Sequence, residues 1–466
     1  MPWPPGRLRM SPFSSPSSSA EAMSASKLHV RGDIRVPGDK SITHRALLLA
    51  ACARGRSRIR RPLTGEDCRS TARVLAEMGV EVSSFDADET EVLVTSGGLD
   101  AWTAPAAELD CGNSGTTVRL LMGLLAGRDF PVTLTGDASL CSRPMRRITD
   151  PLREMGVTVR ELENPDRLPV EIRGGRLHPL EYRSPKASAQ IKSAVLLAGL
   201  SGGVAATVIE PGRSRDHTER MLRAAGVEVE EAPVSEGWRV SLTPPAEPLP
   251  PLDLVVPGDI SSAAFLIALA TLADAGELRL VGVGVNPTRT GLLAAMERMG
   301  ARIERRDERD EGGEPVANLI VRPAELRAVE VGAAEVPAMI DELPILAALA
   351  ARGRGLTRIR GAGELRVKET DRIAALATNL RALGVVSEEH EDGLDIQGSD
   401  APLRGRVRTY GDHRIAMAFG VLAALPGNAI GLDAPDDVRV SYPGFWGDLA
   451  RATGRGKRIP GGRIDV

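Results

Sequence analysis

Aromatic residues are scarce in this chain, and their scarcity limits what it can bind. Phe, Tyr and Trp together make up 3% of the 466 residues. Single-stranded nucleic acid is usually bound by aromatic side chains on which the bases stack. The charge balance points the same way, because 59 Lys and Arg face 62 Asp and Glu, which gives a net charge of -3. We therefore expect no nucleic-acid partner, although this balance leaves room for a local basic cleft.

Cysteine and histidine are also few, and their spacing is not that of metal ligands. The four cysteines include no CxxC pair, and the six histidines include no HExxH motif. We therefore expect no metal site. Unpaired cysteines suit a reduced, cytoplasmic protein. No apolar run reaches the length of a membrane span, so we expect no membrane partner.

Residues 1–26 are rich in Ser and Pro and lack the apolar stretch of a secretory signal. We interpret them as a disordered tail, or as the result of a start codon assigned too early, with Met23 as the true start. A short plastid-type transit segment is the alternative, since the segment also contains Arg.

Two kinds of helix alternate along the rest of the chain. The first kind joins a polar start to an Ala/Leu-rich run and recurs roughly every 70 to 80 residues; its copies begin near residues 40, 114, 188, 261, 341 and 412. The second kind is amphipathic and ends at a Gly C-cap before a β-branched strand; its copies lie at 70–82, 148–159, 217–229, 292–303, 372–386 and 445–456. The sequence therefore predicts six repeated units, arranged as two domains of three.

The helices of the first kind are apolar on nearly all sides, which predicts that they are buried. An α/β (α+β) fold with helices inside and sheets outside follows from this pattern. If these helices run parallel in each domain, their N-termini converge on one cleft. The helix dipoles and free N–H groups would make that cleft attract anions.

Basic side chains stand at the starts of several of these helices. Lys40 and Arg45 lie in the first helix near its N-terminus, where the helix dipole disfavours cations. Lys368 and Arg372 would share one face if their segment is helical. Each motif alone is typical of a solvated loop or a helix cap, but their joint recurrence predicts an anion-binding cleft.

Six motifs appear in a familiar order: PGDKSITHRALLLAA, GNSGTTVRLLMG, DHTERMLRAAGVEV, DELPILAALAA, RVKETDRI and GDHRIAMAFGVLA. From about residue 27 to about residue 447 the chain resembles the 5-enolpyruvylshikimate-3-phosphate synthase family. The resemblance implies a two-domain inside-out α/β barrel of six βαβαββ repeats. It places 27–37 plus 257–466 in the first lobe and 38–256 in the second lobe.

The resemblance also implies a reaction of the shikimate pathway, which leads to chorismate and the aromatic amino acids. The enolpyruvyl group of phosphoenolpyruvate is transferred to the 5-hydroxyl of shikimate 3-phosphate, and phosphate is released. The family needs no metal or organic cofactor and is expected to act as a cytoplasmic monomer. Its two substrates bring roughly 5 to 6 negative charges into one cleft, which would make cations at a helix start favourable.

Site residues are implied position by position. For shikimate 3-phosphate they are Ser41, Arg45, Ser188, Ala189 and Arg215, with Lys368 and Asp341 at the ring hydroxyls. For phosphoenolpyruvate they are Lys40, Gly115, Arg143, Gln190, Arg372 and Arg414, with Lys40 touching both ligands. Asp341 resembles the base that accepts the 5-hydroxyl proton, and Glu369 the acid that protonates the methylene carbon. We expect Lys368 and Arg372 to lower the pKa of Glu369 until bound phosphates offset them.

Two other functions fit parts of this pattern. A sister enzyme acts on UDP-N-acetylglucosamine, but it typically has a Lys-Asn pair where this chain has Lys40-Ser41, and a Cys-bearing mobile loop. A non-catalytic anion-binding scaffold would leave Asp341 and Glu369 idle. Val440 replaces a Lys of the better-known family branch, so one phosphate contact is either missing or supplied elsewhere. Gly115 is kept, and we make no prediction about sensitivity to the herbicide glyphosate.

Overall fold

The structure, a computed structural model, describes residues 27–85 and 90–455. The tail predicted at 1–26, with Met23, and the end of the predicted first lobe at 456–466 lie outside these residues. Within the described ranges the α-helices are α1 (Lys40–Cys52), α2 (Glu66–Glu77), α3 (Gly115–Leu125), α4 (Ala138–Cys141), α5 (Arg146–Glu154), α6 (Ala189–Gly202), α7 (His217–Ala224), α8 (Ile260–Thr271), α9 (Gly291–Met299), α10 (Leu343–Ala350), α11 (Arg372–Ala382), α12 (His413–Ala424) and α13 (Phe445–Thr453).

The strands alternate with these helices in chain order. They are β1 (His29–Val30), β2 (Asp33–Ile34), β3 (Arg54–Arg60), β4 (Glu81–Val82), β5 (Glu91–Gly97), β6 (Leu109–Asp110), β7 (Val132–Thr135), β8 (Thr158–Glu161), β9 (Val170–Arg173), β10 (Leu180–Arg183), β11 (Ala206–Glu210), β12 (Glu228–Val234), β13 (Gly237–Thr243), β14 (Asp253–Val255), β15 (Ala275–Gly276), β16 (Leu278–Gly284), β17 (Arg302–Glu311), β18 (Glu314–Arg322), β19 (Glu330–Val331), β20 (Leu356–Ile359), β21 (Ser387–His390), β22 (Gly393–Gln397), β23 (Arg404–Val407) and β24 (Ala429–Leu432).

All twelve helices predicted from the sequence are present, and the short helix α4 is an addition. The Ala/Leu-rich helices are buried on nearly all sides; in α8, for example, every residue is buried. No helix of the described ranges is both long enough and apolar enough to cross a bilayer.

Two helix starts differ from the prediction for local reasons. Pro344 lies in the first turn of α10, which begins at Leu343 and leaves Asp341 in a preceding 3-10 turn. Asp371 caps α11 by accepting a hydrogen bond from the Ala374 N–H (3.0 Å). Lys368 therefore lies outside α11 in an extended conformation, so the condition under which it would share a helix face with Arg372 is not met.

The sheets repeat one pairing pattern. In the described part of the chain, four-stranded sheets with one parallel and two antiparallel pairs have the orders β14-β3-β5-β4, β6-β7-β9-β8, β10-β11-β13-β12, β2-β16-β18-β17 and β19-β20-β22-β21. The pairs β1-β15 and β23-β24 are parallel two-stranded sheets. The fold is thus a mixed α/β fold, as the sequence predicted.

Buried hydrophobic side chains of the described residues form two separate clusters. One contains side chains from positions 42–256. The other contains side chains from positions 28–36 and 260–452. The chain therefore passes between the clusters twice, near residues 37–41 and near residues 257–259.

The two crossing segments have the same sequence, Val-Pro-Gly-Asp, at 36–39 and 256–259. They lie antiparallel, since the Asp39 N–H donates to the Pro257 carbonyl (2.8 Å) and the Asp259 N–H donates to the Pro37 carbonyl (2.9 Å). Each Asp then caps a helix: Asp39 accepts from the Ile42 N–H of α1 and Asp259 from the Ser261 N–H of α8. The crossing therefore sets two helix starts side by side.

Candidate active site

A cavity of about 280 Å³ is lined by side chains from two parts of the chain, between positions 40 and 217 and between positions 259 and 414. The starts of the six Ala/Leu-rich helices meet there: Lys40 of α1, Gly115 of α3, Ala189 of α6, Ser261 of α8, His413 of α12, and Asp341 just before α10. The convergence of helix N-termini that the sequence predicted is therefore present.

The cavity wall carries a large excess of positive charge. Counting the described residues, ten cations line it: Lys40, Arg45, Arg119, Arg143, Arg147, Lys186, Arg215, Arg289, Lys368 and Arg414. Five carboxylates share the wall: Asp67, Asp259, Asp341, Glu364 and Glu369. An excess of five positive charges in a confined cleft attracts a strongly anionic ligand.

The structure brings the residues predicted from the sequence together. The cavity is lined by Lys40, Ser41, Arg45, Gly115, Arg143, Ser188, Ala189, Gln190, Arg215, Asp341, Lys368, Glu369 and Arg414. Arg372 is fully buried and lies behind this wall.

Lys40, at the start of α1, contacts the carboxylate of Asp67. Burial alone would lower the pKa of Lys40, but Asp67 raises it above its ordinary value. An acidic neighbour from α2 therefore helps to hold a cation at this helix start. The sequence analysis did not identify Asp67.

Arg45 is held by three groups of the protein. Its Nε donates to Thr218 Oγ1 (2.6 Å), its Nη2 to Ser193 Oγ (2.8 Å) and its Nη1 to the Ser41 carbonyl (3.0 Å). Burial lowers the pKa of Arg45 to about 10, so it stays charged at neutral pH. The guanidinium plane is thus fixed before any ligand binds.

Asp341 is surrounded by cations. Arg215 Nη2 lies 2.7 Å from its Oδ2, Lys368 Nζ lies 3.6 Å from its Oδ1, and Arg414 Nη1 donates to its carbonyl (3.0 Å). Burial alone would raise the pKa of Asp341, but these cations, Lys368 first, hold it well below the ordinary value. Asp341 is therefore ionised at neutral pH.

Arg372 connects the two carboxylates to which catalytic roles were assigned. Its Nη2 lies 2.7 Å from Glu369 Oε2 and its Nη1 lies 3.6 Å from Asp341 Oδ1. Its Nε donates to Asp412 Oδ2 (2.7 Å), which fixes the guanidinium from behind. Burial alone would raise the pKa of Glu369, but Arg372 and then His413 bring it well below the ordinary value. This is the direction predicted from the sequence.

A second group of arginines lies at the start of α3. Arg143 Nη2 donates to Asn113 Oδ1 (2.6 Å), and Arg119 Nη1 donates to Gln190 Oε1 (3.0 Å). A Cβ at Gly115 would lie 2.8 Å from Arg119 Nη1 and 3.3 Å from Arg143 Nη1. Gly115 therefore leaves room for both guanidinium groups.

Several lining residues were given no role in the site when it was predicted from the sequence. Arg119 and His413 lie inside the recognised motifs, which was a signal that could have found them. Burial, then Arg147 and Arg143, lowers the pKa of Arg119 to about 9. Burial lowers the pKa of His413 to about 4, so this ring is neutral at pH 7.

Arg289 is a missed residue for which the sequence offers no signal. It lies at the crossing, with Nη1 3.2 Å from Asp39 Oδ2 and Nη2 3.5 Å from Asp259 Oδ1. Its Nη2 also donates to Ser261 Oγ (2.7 Å). One buried guanidinium thus joins the caps of α1 and α8.

The two sides of the cleft touch each other directly. At one edge Glu364 contacts Lys186 and lies 3.5 Å from Arg147 Nη1. At another edge His217 Nδ1 lies 2.7 Å from Glu314 Oε1. Side chains from the two sides of the cleft are therefore in contact in this structure.

One group of possible metal ligands occurs among residues 27–85 and 90–455, and it consists of Glu388, His390 and Asp395 on the hairpin β21–β22. Asp395 Oδ1 is already 2.6 Å from Arg360 Nη1. These residues do not line the cavity.

Comparison with solved structures first defines the class of fold. The chain is similar to the enolpyruvyl transferase NikO from Streptomyces tendae, with a TM-score of 0.71 and 23% identity over 91% of this chain and 96% of that chain. This likeness shows the fold alone. EPSP synthase from Acinetobacter baumannii is more similar, with a TM-score of 0.80 and 38% identity over 92% of this chain and 97% of that chain.

Sequence comparison then defines the family. Residues 25–449 match the family model EPSP synthase (3-phosphoshikimate 1-carboxyvinyltransferase). The 3-phosphoshikimate 1-carboxyvinyltransferase of Desulfitobacterium hafniense (strain DSM 10664 / DCB-2) is 48% identical over 89% of this chain and 94% of that protein. The 3-phosphoshikimate 1-carboxyvinyltransferase of Synechococcus sp. (strain RCC307) is 48% identical over 91% of this chain and 97% of that protein. The chain belongs to the EPSP synthase family, which confirms the resemblance found in its sequence.

Proposed function

We propose that this chain transfers the enolpyruvyl group of phosphoenolpyruvate to the 5-hydroxyl of shikimate 3-phosphate and releases phosphate. The observation that carries the proposal is the charge of the cavity. Its lining has an excess of five positive charges, counted over the described residues. The two substrates together carry roughly 5 to 6 negative charges, so their charge and that of the cavity wall nearly cancel when both substrates are bound.

The two substrates are assigned to different parts of the wall. Shikimate 3-phosphate takes the side of Arg45 and Arg215, and the full set is Ser41, Arg45, Ser188, Ala189, Arg215, Lys368 and Asp341. Phosphoenolpyruvate takes the side of Arg143 and Gly115, and the full set is Lys40, Gly115, Arg143, Gln190 and Arg414, with Arg372 directly behind the wall. The contacts of Arg45 with α6 and α7, and of Arg143 with Asn113 before α3, support two separate groups of cations.

The first step adds the acceptor hydroxyl to the enolpyruvyl carbon. Glu369 gives its proton to the methylene carbon of phosphoenolpyruvate, and the adjacent carbon gains oxocarbenium character. The 5-hydroxyl oxygen attacks that carbon while Asp341 accepts the hydroxyl proton. The product is a tetrahedral ketal phosphate. Bound anions offset Lys368 and Arg372, which raises the pKa of Glu369 and lets it hold the proton that it must donate.

The second step expels phosphate. The carbon–oxygen bond to phosphate breaks, the carboxylate of Glu369 takes a proton back from the new methyl group, and the double bond of the enolpyruvyl group is restored. The proton that Asp341 accepted from the 5-hydroxyl leaves with the phosphate, so both carboxyl groups return to their starting states. Lys40 and the arginines around Gly115 stabilise the charge on the leaving phosphate. The closed cleft keeps water from the reactive carbon.

The same proposal extends to the architecture. The recurring sheet pattern and the twelve alternating helices support six βαβαββ units in an inside-out barrel. The two hydrophobic clusters support lobes at 27–37 plus 257–466 and at 38–256. The cavity is complete within one chain, which supports a monomer; a cytoplasmic location stays a prediction from the sequence.

The direct test measures phosphate released from phosphoenolpyruvate with and without shikimate 3-phosphate. We expect release that depends on shikimate 3-phosphate. Release that depends on UDP-N-acetylglucosamine instead would transfer the assignment to the sister reaction. Tight binding of both substrates without any release would identify a non-catalytic scaffold.

The acid is tested by Glu369→Gln, which keeps the shape of the side chain but cannot donate the proton. We expect kcat to fall by about 10²- to 10⁴-fold, the usual contribution of a general acid. Binding of shikimate 3-phosphate, measured by calorimetry, should change far less. Equal losses in both measurements would contradict the role of Glu369.

A further inference from the structure

A buried ion triad lies beneath one side of the cavity. Lys192 of α6 is 1% exposed, and its Nζ lies 2.8 Å from Glu210 Oε1 and 2.8 Å from Glu219 Oε1. Both carboxylates are fully buried. None of the three side chains lines the cavity. We call these residues the Lys192 triad.

The Lys192 triad is a poor device for stability alone. Taking three charges out of water costs more than packing apolar side chains of similar size in the same place. Burial, the largest effect, raises the pKa of Glu219 in spite of Lys192. The contacts of the triad with its surroundings indicate what else it does.

Glu210, at the end of β11, holds the loop that follows it. Its Oε1 accepts hydrogen bonds from both the N–H and the Oγ of Ser214 (2.9 Å each). The next residue is Arg215, whose Nη2 lies 2.7 Å from Asp341 Oδ2. The carboxylate that pairs with Lys192 therefore fixes the backbone from which Arg215 reaches the cavity.

Glu219 and Lys192 act on Arg45 through their chain neighbours. Thr218, next to Glu219, accepts the Arg45 Nε hydrogen bond (2.6 Å). Ser193, next to Lys192, accepts the Arg45 Nη2 hydrogen bond (2.8 Å) and lies 2.6 Å from Thr218 Oγ1. Among the charges that oppose the burial of Arg45, the largest effect on its pKa comes from Glu219. The two hydroxyl groups that accept hydrogen bonds from Arg45 therefore both belong to chain neighbours of triad residues.

We infer that the Lys192 triad positions Arg45 and Arg215 and thereby sets the affinity for the phosphorylated acceptor without touching it. The inference rests on the proposed function, which assigns both arginines to shikimate 3-phosphate. The other substrate provides a contrast. Arg143 is held by Asn113 and Ser139, and Arg414 by the Asp341 carbonyl, so neither depends on the triad.

The test is a comparison of KM values for the two substrates. Glu219→Gln removes the carboxyl group that pairs with Lys192 and keeps the shape of the side chain. Glu210→Gln weakens the hydrogen bonds that Ser214 donates to this side chain. We expect either change to raise KM for shikimate 3-phosphate by about tenfold or more, because small displacements of binding groups have effects of that size. KM for phosphoenolpyruvate should stay within about twofold, and kcat should change by less than KM for shikimate 3-phosphate.

A control variant separates positioning from loss of stability. Trp102→Phe removes a buried hydrogen bond to the Ala51 carbonyl (3.1 Å), near the opposite end of α1 from Lys40. It should lower Tm and leave both KM values unchanged. If the single variants fold poorly, KM is measured instead for the uncharged triple variant Lys192→Met, Glu210→Gln, Glu219→Gln. This variant has no ionisable side chain at the three positions of the triad. Its KM for shikimate 3-phosphate should still be higher than that of the wild type.

Two outcomes would overturn the inference while the wild type turns over. One is an unchanged KM for shikimate 3-phosphate in the folded variants, and the other is an equal rise in both KM values. A wild type that releases no phosphate in the presence of shikimate 3-phosphate would overturn the proposed function and this inference with it.

Discussion

The starts of α1 and α8 have the same scaffold and carry opposite chemistry. Both follow a Val-Pro-Gly-Asp segment, and the two segments pair with each other at the crossing. Counted from the capping Asp, Lys40 of α1 corresponds to Ile260 of α8, and Arg45 corresponds to Phe265. Phe265 is buried with its ring centroid 6.0 Å from that of Phe445. One helix start thus presents cations to the cavity while the other completes a core.

The repeated scaffold thus determines where the helix starts lie, and individual side chains determine what each start does. The two capping carboxylates likewise have the same position but differ in their pKa. Burial alone would raise the pKa of Asp39, but Arg289 leads the groups that lower it. Burial, assisted by Asp39, raises the pKa of Asp259 to about 6. Two identical caps beside one guanidinium therefore have opposite shifts.

The largest effect is expected where the two starts differ most in charge. Lys40→Met should lower kcat/KM by about 10³-fold, the effect of losing one strong electrostatic contact to a developing charge. Ile260→Met at the matched position conserves volume, so it should cost less than about 1.5 kcal/mol of stability and leave kcat/KM unchanged. Steady-state kinetics and thermal unfolding of both variants check this. Similar kinetic losses in both would mean that the two starts are not functionally distinct.

Arg45 and Phe265 form the second matched pair. Arg45→Lys keeps the charge but cannot form three fixed hydrogen bonds, so KM for shikimate 3-phosphate should rise by about 10- to 100-fold. Phe265→Leu should lower Tm through lost packing and leave KM unchanged. A Lys at position 45 with normal KM would show that charge alone suffices there.

The two caps should differ in their response to pH. Asp39 has a lowered pKa, so it is ionised between pH 5 and 8 in both folded and unfolded chains, and Asp39→Asn should lose a constant amount of stability over that range. Asp259 has a pKa raised from 3.8 to about 6, so folding favours its protonated form. The stability that it contributes at pH 5 is lost as pH rises through 6, by about 1 kcal/mol.

Asp259→Asn mimics the protonated cap and should remove that pH-dependent loss. Relative to the wild type, it should therefore be more stable at pH 8 than at pH 5. Urea unfolding of the wild type and both variants across this range measures the difference. Parallel pH profiles for the two variants would contradict the opposite shifts.

The smallest effect is expected at the matched serines. Ser41→Ala should raise KM for shikimate 3-phosphate by about 2- to 10-fold, the value of one hydrogen bond, with little change in Tm. Ser261 instead bonds Arg289 and Glu342 inside the protein. Ser261→Ala should therefore lower Tm by a few degrees and leave KM nearly unchanged, as thermal unfolding and kinetics can verify.

The sequence predicted the helices well because each carries its own local signals. Asp39, Ser114 and Asp371 cap helices through side-chain hydrogen bonds that depend on residues within three positions. Lys368 precedes the capping residue Asp371, so it lies outside α11. The condition under which it would share a helix face with Arg372 is therefore not met.

Residues that act across the crossing could not be predicted in this way. Arg289 lies 250 positions from Asp39, and no local pattern relates them. Lys192 was visible as a lone charge in an apolar helix, but its partners Glu210 and Glu219 lie on other elements. The family resemblance identified 13 of the 33 residues that line the cavity, because it preserves the outcome of such distant contacts.

The double crossing also dictates the order in which the chain can be completed during synthesis. Strand β1 pairs with β15, β2 pairs with β16, and the Arg31 N–H donates to the Ala452 carbonyl (2.9 Å). Residues 42–256 can bury their hydrophobic side chains among themselves as soon as they leave the ribosome. Residues 28–36 must wait for partners more than two hundred positions downstream. A chain interrupted at residue 256 would therefore leave an unpaired, aggregation-prone edge at its amino end.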